Sequence, residues 1–278
     1  MSGPSLELFT RHWRLDGRRH STMADFWDGR AESFQLHKEN VNTQRRRDFV
    51  SRLAAKCALG HDSRVLDLGC GTGHYSLLWA EWAGEVQGFD LSPKMIALAE
   101  ENARRAGLER KIKTRVLDWR EADPAALGWE NHFDISFACR TPAICDHDTL
   151  DKMLAATKGF GVLVGLADQK SDIKDDLKKI IRRDGEAQRA ARSAYSALNI
   201  LWLKGFLPEV SYFTQKWTED VALEEAVILQ SRFFESNDRL SEAEARRLED
   251  YLRGRLVDGR LKEEVTATSA VLIWNMSA

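Results

Sequence analysis

The residues of this chain that are best placed to do chemistry are one acid and three glycines within seven positions. Asp67, Gly69, Gly71 and Gly73 stand in the segment RVLDLGCGTGH, which covers residues 64–74. The apolar residues before Gly69 predict a short buried strand, and the glycines predict a turn that leads directly into a helix. Because glycine has no Cβ, a ligand can lie against the backbone of such a turn, where N–H groups can bind its polar atoms.

Two classes of nucleotide-like ligand use a turn of this kind, namely dinucleotides and S-adenosylmethionine. The dinucleotide fingerprint is G-x-G-x-x-G, whereas the turn in this chain is G-x-G-x-G. Asp67 favours the second ligand, because a carboxylate attracts a sulfonium amino acid and repels a pyrophosphate. The turn therefore predicts S-adenosylmethionine as the cofactor and S-adenosylhomocysteine as its product.

An acid also ends the next predicted strand, which covers residues 85–90 (EVQGFD). An acid in the position of Asp90, at the end of the second strand of a βαβ unit, can accept hydrogen bonds from two ribose hydroxyls. Ser92 is suited to be an N-cap and Pro93 to be the first helical residue, so a helix is predicted to begin at once.

A third predicted strand, residues 112–117, ends in Asp118 and Trp119, and a fourth strand covers residues 133–139. A carboxylate followed by an aromatic ring fits an adenine pocket, in which the acid binds the exocyclic amine and the ring forms an apolar wall. Strands that each end in polar or glycine residues describe the carboxyl edge of an open α/β sheet, where ligands bind in that architecture.

Taken together, these segments resemble the motifs of a known family. The runs VLDLGCGTG, FDLSPKMI, LDW and FDISFA are similar to motifs I, post-I, III and IV of the class I S-adenosylmethionine-dependent methyltransferases, in their small-molecule, type-11-like branch. The resemblance covers roughly residues 60–170. It implies a Rossmann-like α/β fold with a seven-stranded, mostly parallel sheet and helices on both faces.

The resemblance also implies which residues bind the cofactor. The glycine turn would hold the methionine part and Asp90 the ribose. Leu91 and Met95 would flank the adenine, and Asp118 with Trp119 would contact its edge. The complete implied set is Trp27, Asp67, Gly69, Cys70, Gly71, Gly73, Asp90, Leu91, Met95, Asp118, Trp119 and Cys139.

A further resemblance concerns the N-terminal segment FWDGRAESF, residues 26–34. It is similar to the aromatic and arginine segment that lies over the cofactor in many small-molecule methyltransferases. Phe49 and Leu53 lie at helical spacing, which predicts a helix that leads into the first strand. We therefore predict that residues 1–57 form a helical lid or cap segment and that residues 58–278 form the methyltransferase domain.

The second half of the chain alternates less regularly between strand and helix patterns. The apolar residues 159–167 predict a fifth buried strand, and the charged, then alanine-rich residues 170–206 predict a helical insertion after it. The remainder predicts a strand at 210–217, helices at 223–234 and 241–256, and a last strand at 265–274. Together with the first four strands, these complete the seven strands that the resemblance implies.

The composition limits the partners. The net charge is −2 with 30% charged residues, so no strongly basic surface is predicted and nucleic acid is an unlikely partner. The run Arg45-Arg46-Arg47 is interpreted as a solvated helix face rather than an RNA-binding arm. The four cysteines form no C-x-x-C pair and no signal peptide is seen, which favours a reducing cytoplasm and no metal site. No apolar run approaches the length of a membrane span.

Catalytic residues are hard to identify for this chemistry. Methyl transfer from a sulfonium requires mainly the alignment of donor and acceptor and the exclusion of water, and a base only if the acceptor is protonated. The weak candidates are His74, Arg140 and His147, and each also has a purely structural interpretation. Cys139 and Cys145 bracket the fourth strand tip, where a thiol site for a soft acceptor is conceivable, although free cysteines more often act as small hydrophobes.

These patterns lead us to expect an S-adenosylmethionine-dependent methyltransferase that acts on a small-molecule acceptor by in-line transfer. Two alternatives remain open at this point. One is a methyltransferase that acts on RNA or protein, and the other is a protein that binds the cofactor without turnover. Neither the acceptor nor the oligomeric state follows from the sequence.

Overall fold

The computed structural model describes residues 6–13, 20–40, 43–181, 187–234 and 239–277. Its helices are α1 (Leu6–His12), α2 (His20–Asn40), α3 (Thr43–Lys56), α4 (His74–Trp79), α5 (Pro93–Arg105), α6 (His147–Ala156), α7 (Asp172–Ile181), α8 (Ala187–Leu203), α9 (Leu223–Phe234) and α10 (Glu242–Gly254). Its strands are β1 (Arg64–Leu68), β2 (Glu85–Asp90), β3 (Ile112–Val116), β4 (Phe133–Cys139), β5 (Thr157–Ser171), β6 (Glu209–Ala222) and β7 (Arg260–Asn275). Among these residues, no helix combines the length and the apolar character that crossing a membrane would require.

The described strands form one sheet in the order β3-β2-β1-β4-β5-β7-β6. Strand β1 pairs in parallel with β2 and with β4, β2 pairs in parallel with β3, and β4 pairs in parallel with β5. The strand order therefore reverses its direction between β1 and β4, which makes the carboxyl edge at these two strands the topological switch point where ligands bind in such sheets. This topology confirms the predicted α/β class, the seven strands and the helical insertion after the fifth strand.

The bounds of β1 to β4 agree with the sequence prediction to within one residue, but the last three strands are longer than predicted. Strand β7, for example, begins at Arg260 rather than at residue 265. The prediction followed apolar runs, whereas the extra part of β7 alternates between exposed and buried residues and one of the buried residues is Glu263. A charged residue on the buried face concealed the period of two that would have identified the strand.

Two compact units make up the chain. The first contains residues 1–164, 197–209 and 272–278, and the second contains residues 165–196 and 210–271. The first unit includes β1 to β4 and helices α1 to α6, so it contains every residue that the sequence predicts to bind the cofactor.

The second unit has a hydrophobic cluster of its own. Its buried members come from α7, α9, α10 and β7 and are Ile173, Leu177, Ile181, Ala226, Phe233, Phe234, Leu248, Leu252 and Leu261. Glu263 is only 2% exposed, and its carboxylate accepts hydrogen bonds from Ser171 Oγ at 2.5 Å and Gln230 Nε2 at 2.8 Å. Lys174 Nζ lies 2.9 Å from the same carboxylate, so the buried charge is paired and hydrogen-bonded.

In the first unit, Phe137 on β4 fixes two helices against the sheet. Its ring centroid lies 5.0 Å from that of Tyr75, 5.3 Å from that of Trp79 and 6.4 Å from that of Phe49. Tyr75 and Trp79 belong to α4, and Phe49 belongs to α3. One buried ring of β4 therefore determines where the first turn of α4 and the adjacent part of α3 lie.

Helix α2 docks on α5 through polar contacts. Asp28 accepts a hydrogen bond from the Ser92 hydroxyl, which is the N-cap of α5. Gln35 and Asn102 exchange two hydrogen bonds of 3.1 and 3.0 Å, and Asn102 Nδ2 also donates to the carbonyl of Thr72 at 2.9 Å. Helix α2 is thus connected to α5, the helix that follows β2, and through Asn102 to the turn that follows β1.

A single glycine tests the close packing of β5 against β7. A Cβ at Gly161 would lie 2.0 Å from Cζ2 of Trp274, a side chain that is 1% exposed and has no room to withdraw. We expect Gly161→Ala to lower the free energy of unfolding by about 1–3 kcal/mol in urea denaturation. Gly60→Ala, where no atom lies within 4 Å of the added Cβ, should change it by less than about 0.5 kcal/mol. Equal effects of the two substitutions would contradict this packing.

Candidate functional site

The turn between β1 and α4 has the backbone that its glycines predict. Gly69, Gly71 and Gly73 have φ values of 65°, 56° and 80°, which lie in the left-handed region that other residues avoid. Gly73 is also the N-cap of α4 and, because it has no side chain, provides no capping hydrogen bond. The conformation of this turn therefore requires glycine at each of the three positions.

Protein groups occupy the space that the missing Cβ atoms of this turn leave. A Cβ at Gly69 would overlap the Thr141 side chain, one at Gly71 would lie 3.3 Å from Phe34, and one at Gly73 would lie 3.1 Å from Ala99. The turn is thus a point of close packing inside the protein as well as a surface for a ligand.

The N–H groups of the turn show the same internal use. Cys70 N donates to the Phe89 carbonyl at 2.9 Å, and Gly73 N donates to the Cys70 carbonyl at 3.0 Å. Gly71 N donates to Asp90 Oδ2 at 3.0 Å. The N–H groups of Cys70, Gly71 and Gly73 thus have partners inside the chain, and their use by a ligand stays a prediction.

Asp90 ends β2 beside this turn and is held by two backbone donors. Besides Gly71 N, its carboxylate accepts a hydrogen bond from Ser92 N at 2.9 Å. Burial raises the pKa of Asp90 above its ordinary value, and the two N–H groups act in the opposite direction. Leu91 next to it is partly exposed, whereas Met95 is 2% exposed. The carboxylate is thus fixed in orientation at the tip of β2, as a ribose-binding acid needs to be.

Asp67 is a second acid beside the turn, and it is almost completely buried. It is 2% exposed, and its carboxylate accepts a hydrogen bond of 2.6 Å from the Ser76 hydroxyl. Burial raises its pKa to about 7, the Ser76 hydrogen bond opposes this rise, and the charge of Asp90 adds to it. A buried carboxylate with such a pKa gains stability when a cation approaches, because the cation favours its charged form.

The ring of Trp119 belongs to the hydrophobic core. Trp119 is 1% exposed and stacks with Phe89 and Trp129, with centroid distances of 5.0 and 6.4 Å. Its indole N–H donates to the carbonyl of Thr149 at 2.9 Å. The contact of this residue with the adenine edge stays a prediction, and its side chain has little exposed surface to offer.

Asp118, the acid before this ring, lies at the end of the third strand segment as predicted but has a partner inside the chain. Arg120 Nη2 donates to Asp118 Oδ2 at 2.8 Å, and Arg120 N donates to Oδ1 at 2.8 Å. Val116, which pairs in register with Asp90, is 51% exposed and is an apolar side chain on this edge that the sequence analysis did not identify. The apolar wall beside Asp90 thus has a candidate other than Trp119.

The aromatic residues of α2 form a cluster that reaches the turn. The ring centroids of Phe26 and Trp27 are 5.0 Å apart, and those of Trp27 and Phe34 are 6.2 Å apart. Phe34 is the ring that lies against Gly71. Trp27, which was predicted to bind the cofactor, therefore packs against Phe34.

The three weak catalytic candidates lie in different surroundings. His74 Nδ1 is 2.8 Å from the Thr72 hydroxyl within the turn. His147 lies 3.5 Å from Asp148 and 3.4 Å from Asp151 on its own helix. Arg140 is exposed at the tip of β4 and has a φ of 50°. No geometry among these residues indicates a general base.

The two cysteines near the tip of β4 also differ from each other. Cys145 is 4% exposed and burial raises its pKa to about 11, so it is a buried thiol. Cys139, the last residue of β4, is partly exposed and hydrogen-bonds the Tyr75 hydroxyl. Of the two, Cys139 lies among polar neighbours.

Two of these neighbours, Arg46 and Tyr75, were not identified as candidate site residues from the sequence. Arg46 is half-buried, and Tyr75 and Cys139 are the ionisable groups whose proximity affects its pKa most. The interpretation of Arg45-Arg46-Arg47 as one solvated face is therefore wrong for Arg46, whereas exposed Arg47 pairs with Glu81 at 2.7 Å. The spacing held a signal, because Arg46 is three residues before Phe49 and lies on its helix face.

Comparison with protein families gives an extended match. A family profile described as a methyltransferase domain matches residues 59–215, which is more than half of the chain. The match includes the turn after β1, the acid that ends β2 and the tip of β4.

Curated relatives match shorter stretches. The 23S rRNA (uracil(1939)-C(5))-methyltransferase of Aeromonas salmonicida is 41% identical over 69 residues, which are 25% of this chain and 16% of that protein. The malonyl-(acyl-carrier protein) O-methyltransferase of Pectobacterium atrosepticum is 35% identical over 92 residues, which are 28% of this chain and 36% of that protein. The chain thus matches well under two thirds of the length of these relatives.

Solved structures extend the similarity over most of the chain. Magnesium protoporphyrin IX methyltransferase from Synechocystis, with bound S-adenosylhomocysteine, has a TM-score of 0.52 at 16% identity and covers 90% of this chain and 98% of its own. A protein from Bacillus halodurans has a TM-score of 0.50 at 16% identity and covers 81% of this chain and 97% of its own. At these identities the likeness shows a common fold. Together with the profile match, it establishes that this chain belongs to the methyltransferase domain family and is a class I S-adenosylmethionine-dependent methyltransferase.

Proposed function

We propose that this enzyme transfers the methyl group to a small-molecule acceptor. The observation that carries the proposal is the position of α2, which packs Phe34 on the glycine turn and binds the start of α5 through Asp28. A helix fixed across the cofactor edge restricts access to that edge, which favours an acceptor that is small. The balanced charge of the chain, −2 overall, is consistent with such an acceptor.

The residues at the tips of β1 and β2 fit the chemical groups of S-adenosylmethionine. We assign Asp90 to the ribose hydroxyls, because its carboxylate is already oriented by two N–H donors. We assign Asp67 to the positive end of the cofactor, and Leu91 and Val116 to the adenine ring. Within the predicted set, the backbone of the glycine turn, Asp118 and Cys139 stay in the proposed site, whereas the ring of Trp119 does not.

The bound cofactor supplies an electrophilic methyl group on a sulfonium, so the protein has little covalent chemistry to perform. Asp90 and Asp67 would fix the donor at two points, which sets the direction from which an acceptor can approach in line. Phe34, supported by Trp27, would exclude water from this region. No residue at the site is required to act as a base unless the acceptor arrives protonated.

An RNA acceptor is less well supported, although six curated relatives are rRNA methyltransferases. Those matches cover 16–20% of each relative, so they say little about the parts that bind RNA. The arginine run that could have guided a polyanion does not form one basic face, since Arg47 pairs with Glu81 and Arg46 turns towards Tyr75.

The direct test is ligand-dependent stability followed by turnover. S-adenosylmethionine and S-adenosylhomocysteine should raise the melting temperature by mass action on the native state, and NAD should leave it unchanged. A panel of small metabolites and short RNAs would then be screened for formation of S-adenosylhomocysteine. A response to NAD alone, or turnover with RNA and with no metabolite, would contradict the proposal.

The first prediction concerns Asp90. Asp90→Ala removes the acceptor of hydrogen bonds from both ribose hydroxyls, each worth about 1.5–3 kcal/mol when charge-assisted. We expect the affinity for S-adenosylhomocysteine in calorimetry to fall at least about tenfold while the protein remains folded. Glu100→Ala, which removes an exposed acid of α5, is the matched control and should leave the affinity unchanged. An unchanged affinity in Asp90→Ala would refute the assignment.

The second prediction concerns Asp67 and pH. Because its pKa is raised to about 7 in the folded state, the native protein binds more protons than the unfolded chain between about pH 4 and pH 7. Proton binding to Asp67 stabilises the native state relative to the unfolded chain. This stabilisation is fully present below about pH 4 and is lost as the pH rises to about 7. Asp67→Asn should therefore be more stable than the wild type at pH 8, by something on the order of a few kcal/mol, and similar to it at pH 4.

Denaturation in urea at the two pH values measures this difference. The same substitution should weaken binding of S-adenosylmethionine, because it removes the carboxylate that faces the cation. Greater stability together with weaker binding distinguishes this role from a purely structural one. A variant that is less stable at pH 8, or that binds the cofactor as well as the wild type does, would contradict the assignment.

The third prediction concerns the contact of α2 with the turn. If Phe34 covers the bound cofactor, S-adenosylhomocysteine should slow hydrogen exchange in residues 26–35 and leave α10 in the second unit unchanged. Phe34→Ala should weaken cofactor binding by about three- to tenfold through the loss of buried apolar surface. Exchange rates in residues 26–35 that are the same with and without the ligand would argue against a covering role.

A further inference from the structure

Two side chains beside the tip of β4 are not among the proposed cofactor contacts. Arg46 on α3 and Tyr75 on α4 lie together with Cys139 at the end of β4. The ring of Phe137 fixes the two helices there, with centroid distances of 5.0 Å to Tyr75 and 6.4 Å to Phe49. The position of Arg46 is thus determined by the core packing beneath it, and Arg46 is not an arbitrary surface cation.

The chemistry of this group is that of a cation with a neutral donor beside it. Burial lowers the pKa of Arg46, but a guanidinium remains protonated in proteins. Burial raises the pKa of Tyr75 far above its ordinary value, and Cys139 adds to this effect, so the phenol keeps its proton at neutral pH. Arg140, the next residue after Cys139, is exposed and adds a second positive charge at the same strand tip.

The sheet topology indicates what this group faces. Strand β1 lies between β2, which carries the ribose-binding Asp90, and β4, which carries Cys139. A cofactor with its ribose at β2 extends across the tip of β1, so its methyl group comes towards β4.

We propose that the acceptor carries an oxyanion, which is either a carboxylate or a phosphate; this inference rests on the proposed function. Arg46 binds the oxyanion, and the Tyr75 hydroxyl is a second hydrogen-bond donor to it. The planar guanidinium can form two parallel hydrogen bonds to either anion. Half-burial strengthens these bonds, because they form where water screens them less. The oxyanion would hold the acceptor at the tip of β4, with its nucleophilic atom towards the methyl group.

The test uses three small probes that share a phenyl ring: the anions benzoate and phenyl phosphate, and the neutral amide benzamide, which matches benzoate in shape. Each is titrated by calorimetry into wild-type protein saturated with S-adenosylhomocysteine. We expect at least one of the two anions to bind and benzamide to bind at least about tenfold more weakly. The preference between benzoate and phenyl phosphate identifies the oxyanion. If neither anion binds, or if benzamide binds equally well, the inference is wrong.

Variants assign the binding to Arg46. Arg46→Gln should reduce anion affinity at least about tenfold. Arg46→Lys keeps the charge without the planar guanidinium, so its anion affinity should lie between those of Arg46→Gln and the wild type. Arg47→Gln is the matched control, since Arg47 is the next residue on the same helix but pairs with Glu81 on the surface. Equal losses in Arg46→Gln and Arg47→Gln would indicate a non-specific charge effect and refute the inference.

A last comparison excludes the cofactor itself as the anion. Arg46→Gln should bind S-adenosylhomocysteine and 5′-methylthioadenosine, which lacks the amino acid part, with wild-type affinity. A loss confined to S-adenosylhomocysteine would mean that Arg46 binds the cofactor carboxylate and would overturn the inference. Failure of the wild type to bind S-adenosylhomocysteine at all would instead refute the proposed function.

Discussion

The hydrogen bond from Gly71 N to the Asp90 carboxylate is the contact on which the rest of the site depends. It joins the turn after β1 to the tip of β2 at 3.0 Å. Only a glycine with a positive φ can direct its N–H in this way without strain, and only such a turn lets Phe34 approach from outside. One constraint therefore links three features. It sets the conformation of the turn, the orientation of Asp90 and the docking of α2.

This constraint has an electrostatic cost, which explains the relation between stability and binding. The charge of Asp90 adds to the rise in the pKa of Asp67, and burial raises the pKa of both carboxyl groups. Without a cation, the protein holds two carboxylates in a region of low dielectric, which costs stability. A positively charged ligand offsets that cost, so the feature that weakens the free protein also favours the bound state.

The turn and the first four strands could be predicted from the sequence, because their signals are local. Glycine spacing, apolar runs and acids at strand ends depend on a few consecutive residues. The burial of Trp119 and Glu263 could not be predicted for the opposite reason, since the surroundings of both side chains are made by distant residues. An aromatic ring after a strand can belong to a pocket or to the core, and only the stacking on Phe89 decides between them. A buried glutamate appears exposed until Ser171 and Gln230 are found beside it.

The two halves of the reaction differ in how much local sequence defines them. The proposed donor-side residues come mainly from two consecutive strand-turn-helix units. The proposed acceptor side at the tip of β4 combines Arg46, Tyr75 and Cys139, which are separated by 29 and 64 positions along the chain. Only the packing of α3 and α4 on Phe137 unites them. Specificity in such an enzyme thus resides in tertiary contacts that can change without altering the cofactor turn.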